Sequence, residues 1–207
     1  DKASLIDSIS ASTLESEETT HFSIIDQWGG AVSVTTTLNT AFGSKVIVDG
    51  AGFILNNEMD DFSSKVGEPN FYGLVGAEAN KIEAEKRMLS SMTPTIVEKG
   101  GKLFMVVGTP GGSTIITSVF QTIVNVIEFD LDLVDAVHNC RFHHQWKPEF
   151  VFLEDGCLPN DTRKALSALD HKLKARSSIG RVEAIMVNEN GISAVADNRG
   201  DDDARGK

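Results

Sequence analysis

Cysteine is scarce. The chain holds only Cys140 and Cys157, and neither belongs to a CxxC or His-rich pattern. That excludes a small disulfide-built scaffold and a zinc ribbon. The two thiols read as unpaired and partly buried, with pairing open to them in an oxidising compartment. Histidine is also sparse, at five residues, and the adjacent His143 and His144 would point to opposite faces of a strand, a poor arrangement for chelation. Bases are outnumbered, 19 Lys and Arg against 30 Asp and Glu, for a formal charge of −11. This argues against an extended cationic groove for nucleic acid. Apolar runs such as Leu103 to Val107 are far too short to span a membrane. There is no internal repeat, and no signal peptide stands at Asp1. The late part of a longer precursor would carry none, so this absence argues little.

What is present fits one substantial core in 207 residues. Residues 1–18, DKASLIDSISASTLESEE, carry few large apolar side chains and read as an exposed tail or linker, with a short surface helix as the alternative. From Thr19 the character changes. HFSIID (21–26) and AVSVTTTL (31–38) flank a Gly-containing turn and predict a hairpin. Alternation puts Val32, Val34, Thr36 and Leu38 on one face, and Ala31, Ser33, Thr35, Thr37 and Asn39 on the other. GFILNN (52–57) reads as a further strand. Residues 63–86, broken by Gly67, Pro69, Gly73 and Gly76, read as a long loop of the lid or binding kind. Residues 94–97 and 103–107 flank Lys99–Gly100–Gly101–Lys102 and predict a second hairpin.

Helices are expected over 113–129, 133–140 and 159–173, a strand over 150–153, and a closing hairpin from 182–187 and 192–197. Strands first, helices grouped in the middle and a hairpin at the end give an α+β class. The expected arrangement is antiparallel sheet with helices packed outside, rather than alternating β-α-β units.

Four features carry chemistry. Thr19 and Thr20 sit where the acidic linker meets the first strand. A threonine hydroxyl needs a base, and one solution is the threonine's own α-amine, whose ordinary pKa is about 7.7–8.0. That amine exists only if the bond after Glu18 is cut; otherwise a Thr-Thr pair at a strand start is a structural feature. GTPGGST (108–114) precedes an apolar helix, so its N–H groups could stabilise an oxyanion, or the glycines could simply serve a strand-to-helix turn. It lacks the GK[ST] ending of a phosphate-binding loop. Asn39, Glu58 and Asp61 suit a substrate ammonium, and equally an acidic surface. Ser90 and Ser91 offer hydroxyls to a carboxylate, or satisfy a turn.

In order, TTHFSIID (19–26), TLNTAFGS (37–44), LNNEMDDFS (55–63), LSSMTPT (89–95), GTPGGS (108–113) and RFHHQW (141–146) resemble the small-subunit motifs of gamma-glutamyltranspeptidases. The resemblance runs from Glu18 to about Arg199. It implies an N-terminal nucleophile hydrolase with an αββα sandwich, of which this chain is the C-terminal portion: 1–18 the tail of the large subunit, 19–207 the catalytic small-subunit domain. It implies Thr19 as nucleophile, Thr37 as its support, and Gly111 and Gly112 as the oxyanion hole. Asn39, Glu58 and Asp61 would hold an α-ammonium, Ser90 and Ser91 an α-carboxylate, and Tyr72 would be the lid residue.

The implied reaction transfers or hydrolyses the γ-glutamyl group of glutathione and related amides, with water, an amino acid or a peptide as acceptor. The family needs no metal or organic cofactor. Its large subunit supplies a carboxylate-binding arginine, and its location is periplasmic or secreted. Two alternatives stand beside this: a fragment acting only as a non-catalytic interaction domain, and a related β-lactam side-chain acylase. The isolated uncut chain is expected to be inactive, and to self-associate through surfaces the large subunit would cover.

Overall fold

The computed structural model describes residues 19–206; the linker expected over 1–18 lies outside them. Nine strands and three α-helices follow in order: β1 (Thr20–Ile25), β2 (Ala31–Thr36), β3 (Thr95–Lys99), β4 (Lys102–Gly108), α1 (Ile115–Ile127), α2 (Leu133–His138), β5 (Phe142–His143), β6 (Val151–Glu154), α3 (Asn160–Ala168), β7 (Leu173–Arg176), β8 (Glu183–Asn188) and β9 (Gly191–Val195).

β1 and β2 form the expected hairpin. Asp26 closes its turn by accepting the N–H groups of Trp28 (2.9 Å) and Gly30 (2.7 Å). A second, antiparallel sheet runs β3-β4-β8-β9. Its first turn places Gly100 and Gly101 both at positive φ (62° and 72°), the requirement of a tight two-residue hairpin turn.

The hairpin lies across one face of this sheet, against β4 and β8, while α1 and α2 cover the other. The core sits on the helix side. Met105 and Val107 of β4, with Ala184 and Met186 of β8, pack against Val119 and Val126 of α1 and Leu133, Ala136 and Val137 of α2. The buried stripe of α1, Ile115, Ser118, Val119, Thr122 and Val126, has helical spacing. The hairpin, the four-stranded sheet and α1 with α2 thus form two sheet layers and one helix layer, and β5, β6 and β7 form a further three-stranded sheet.

Three expectations need correction. GFILNN makes no strand, only a single bridge between Ile47 and Ile54, because Gly50 and Gly52 both turn the chain through positive φ. The chain also contains one β-α-β unit: β6 and β7 pair in parallel with α3 between them, and β5 adds to β6 antiparallel. Finally, Cys140 and Cys157 are not free thiols but a disulfide. The pairing of Phe142 with Leu153 and of His143 with Phe152 brings the flanking residues together, leaving the two cysteine Cα atoms 5.1 Å apart.

A buried charge cluster ties these layers to the last strand. Arg141 is 2% exposed. Its Nη2 meets Asp197 Oδ2 at 2.8 Å and donates to Val137 O, and its Nη1 donates to Ile179 O at 2.9 Å. Arg199 grips Glu154 with two bonds of 2.6 Å and donates to Asp197 Oδ1 at 2.9 Å. Glu154 in turn accepts the N–H groups of Arg141 and Ile179, each at 2.7 Å. Burial alone disfavours the Asp197 anion, but Arg141, the Val182 N–H and Arg199 outweigh it and hold its pKa below the ordinary value. Removing one member leaves the others desolvated and unpaired, so Arg141→Met is expected to cost about 3–5 kcal/mol in urea unfolding; a loss below about 1 kcal/mol would show that the cluster does not anchor this end of the fold.

Candidate active site

The hairpin register builds the centre of the site. Thr20 pairs with Thr36 and His21 with Thr35, so one step further out Thr19 faces Thr37. Thr19 is buried, and its Oγ1 donates to Thr37 Oγ1 at 3.0 Å. Thr37 Oγ1 also accepts the N–H of Asn39 at 2.9 Å. Thr37 is a hydroxyl and not a base at neutral pH, so it orients Thr19 without activating it.

Behind this pair the same face carries His21, which shares hydrogen bonds with Thr35 Oγ1 (2.8 Å) and Ser23 Oγ (3.0 Å). The imidazole rests on Gly108, where a Cβ would stand 2.1 Å from Cε1, so only glycine admits the ring. Burial lowers the His21 pKa to about 4, and the layer beneath Thr19 is neutral.

A cleft of about 410 Å³ opens in front of Thr19. Thr37, Asn39, Asp61, Tyr72, Ser90, Ser91 and Gly112 line it with Thr19. Asn39 has φ 76°, a left-handed conformation asparagine tolerates, and its Nδ2 donates to Asn57 O at 3.2 Å. Asp61 ends a 3-10 turn, Glu58–Asp61, and its Oδ2 accepts the Ser91 hydroxyl at 2.7 Å. Burial is the main cause of a raised Asp61 pKa; the Ser91 bond opposes it, and Asp60 adds to it. Ser90 is exposed and donates to Met92 O at 3.1 Å.

At the cleft's far wall, Gly111 (φ 137°) and Gly112 (φ 52°) turn the chain into a 3-10 turn, Gly112–Thr114, and then into α1. The amino end of that helix, with its partial positive charge, adjoins the cleft. Tyr72 comes from residues 63–89, which contain only the 3-10 turn Glu78–Asn80 and single bridges, as a lid-like loop should; its hydroxyl donates to Asn39 O.

Two expected site residues are off the cleft wall. Gly111 lies one residue behind, where a Cβ would stand 3.2 Å from Gly180 Cα. Glu58 lines a neighbouring recess that shares Asp61, Ser90 and Ser91 with the cleft; burial, and then Asp61, raise its pKa. The motif RFHHQW contains His143 and Gln145 but gave neither a role, yet both line the cleft. They reach it because β5 is bound to α1, a long-range contact with no local sequence signal.

Comparison with known proteins agrees with this geometry. The family description "Gamma-glutamyltranspeptidase" matches residues 2–206. A glutathione hydrolase proenzyme of Escherichia coli strain K12 is 48% identical over 190 residues, covering 91% of this chain and 33% of that protein. The chain thus spans about a third of the length of the glutathione hydrolase proenzymes it matches. Among solved structures, a gamma-glutamyltranspeptidase from Pseudomonas nitroreducens superposes with TM-score 0.84 at 46% identity, over 91% of this chain and 99% of that one. A mutant gamma-glutamyltranspeptidase from Helicobacter pylori gives TM-score 0.82 at 49% identity, over 87% and 100%. The helix-sheet-sheet layering is the fold of those structures, that of the N-terminal nucleophile hydrolases. A match over almost every residue leaves one assignment: this chain belongs to the gamma-glutamyltranspeptidase family.

Proposed function

We propose that the complete protein transfers and hydrolyses γ-glutamyl groups through a threonine acyl-enzyme, with glutathione and related γ-glutamyl amides as donors. The observation that carries this reading is the Thr19–Thr37 hydroxyl pair at the head of a cleft whose other walls hold a buried carboxylate and a glycine turn. Cleavage after Glu18 frees the Thr19 amine. That amine accepts the hydroxyl proton as Oγ1 attacks the γ-carbonyl carbon, and the carbonyl becomes an oxyanion facing N–H groups of the Gly111–Gly112 turn. The amine returns the proton to the departing nitrogen as the C–N bond breaks. Water or an amino group then attacks the ester, and Thr19 leaves with its hydroxyl restored.

Asp61 and Asn39 take the α-ammonium, with Glu58 adding charge from the adjoining recess. A substrate ammonium at Asp61 releases the Ser91 hydroxyl to join Ser90 on the α-carboxylate. This pairing of acids with two serines favours a γ-glutamyl ligand over a β-lactam side chain. Tyr72 covers the pocket.

Residues 1–18 are, in this reading, the end of a large subunit that brings a carboxylate-binding arginine. Phe22, Ile24 and Val32, exposed on the outer face of the hairpin, are where such a partner completes the αββα sandwich. The disulfide is in keeping with a periplasmic or secreted protein.

Because one hydroxyl serves both steps, Thr19→Ala in the complete protein is expected to stop self-cleavage and to lower γ-glutamyl anilide turnover at least about 1,000-fold, read by gel and by anilide release. Normal processing of that variant would move the nucleophile elsewhere, to Thr20 first.

Asp61→Asn is expected to weaken substrate binding by about 2–5 kcal/mol, seen as a KM rise of about 30-fold or more. Only the ionised carboxylate pairs with ammonium, and the Asp61 pKa is raised. The wild-type KM should therefore climb, as pH falls, at a pH above the ordinary 3.8. A flat wild-type profile, or an acid limb that persists in Asp61→Asn, would remove Asp61 from that role.

A further inference from the structure

A chain of directional hydrogen bonds joins α1 to the loop over the cleft, and it passes through His143 and Gln145. The loop tip is a turn around Asn70, whose Oδ1 accepts the N–H groups of Tyr72 (3.0 Å) and Leu74 (2.9 Å). Neither strand nor α-helix holds residues 63–89, so the tip's place over Thr19 depends on tethers to the body. One is the Tyr72 hydroxyl on Asn39 O. Another is Gln145, whose Nε2 donates to Tyr72 O at 3.1 Å and to Lys147 O at 3.0 Å.

The direction of each bond follows from chemistry. Two carbonyl oxygens can only accept, so the Gln145 amide must present its NH2 to them, and its Oε1 faces His143. His143 Nε2 lies 2.8 Å from that oxygen and must donate. His143 is 2% exposed, and burial, the largest influence on it, lowers its pKa, so the ring carries one proton, on Nε2. Nδ1 is then an acceptor, and Thr117 Oγ1 of α1, 2.8 Å away, turns its single proton to it in preference to Thr114 O at 3.1 Å. Were the amide turned over, its oxygen would face two carbonyl oxygens while its NH2 faced the ring N–H.

The base of this relay is fixed as well. Gln121 of α1 donates to Phe142 O at 2.8 Å and accepts the Phe142 N–H at 3.1 Å, clamping β5 to the helix that begins at the glycine turn.

We propose that Gln145, oriented by His143, is a positioning residue for the γ-glutamyl reaction: a latch that holds Tyr72 over the substrate pocket. The inference rests on the acyl-transfer reading above. The latch makes no bond to reacting atoms, and its effect is on how well the pocket is closed around the donor.

The test is Gln145→Glu in the complete protein, a substitution of the same shape that cannot donate to Tyr72 O. Self-cleavage should proceed. Losing the bond is expected to raise KM for a γ-glutamyl anilide about tenfold with kcat within about twofold. Trypsin cleavage after Lys65, Lys81, Lys86 or Arg87 should quicken about fivefold, because the loop is released. Unchanged KM, a fall in kcat at unchanged KM, or an unchanged trypsin rate would each overturn the latch. Should Gln145→Glu fail to mature, Gln145→Met removes the same donor without adding charge and is judged by the same readings. Wild-type protein that releases no anilide would refute the acyl-transfer reading instead, and the trypsin comparison would then judge the latch alone.

Discussion

The register of the first hairpin is the constraint on which the rest depends. Thr19 faces Thr37 only because Thr20 opposes Thr36 and His21 opposes Thr35. A slip of one residue would turn Thr19 to the outer face, and His21 with it. The register is held by the Asp26 turn at one end and, at the other, by an imidazole seated on the one residue of β4 without a side chain. Gly108 thus does two things: it admits His21 between the sheets, and it starts the turn that leads to Gly111 and Gly112. Thr19 and Gly112 of the proposed oxyanion turn line the same cleft.

The hairpin is unusual in which face it buries. His21, Ser23, Ser33 and Thr35 point toward the four-stranded sheet, while Phe22, Ile24 and Val32 point away. A polar face can be buried at little cost when its members satisfy one another, as the His21–Thr35 and His21–Ser23 bonds do, with Ser33 donating to Val107 O at 3.2 Å. With His21 neutral, the layer under Thr19 adds no charge of its own. Across the cleft stands the buried Asp61, where burial raises the cost of the anion and so strengthens its preference for a cationic partner.

The sequence made the local features legible. Period-two alternation separated the two faces of β2, and paired glycines marked the β3-β4 turn and the start of α1. Thr37, Asn39, Asp61 and the serine pair stood out as polar residues in short motifs. What alternation could not show is distance along the chain. The disulfide depends on β5 pairing with β6, and a two-residue strand leaves no periodic signal. The parallel pairing of β6 with β7 across α3 was hidden because the expected helix ran on to Leu173, the first residue of β7, and 174–176 carried no strand signal. Spacing also could not separate Glu58 from Asp61, three residues apart on one turn: both line the recess, but only Asp61 reaches the cleft. His143 looked like half of an unpromising histidine pair until Thr117 of α1 met its Nδ1 and Gln145 its Nε2.

Covalent trapping tests the central claim most directly. The complete protein would be incubated with an electrophilic glutamine analogue, and the product mapped by peptide mass. The expected result is one adduct, on Oγ1 of Thr19, in chains that begin at Thr19. An adduct on Thr20 or Ser90, or trapping in chains whose Glu18–Thr19 bond is intact, would contradict a nucleophile positioned by the hairpin register and activated by its own freed amine.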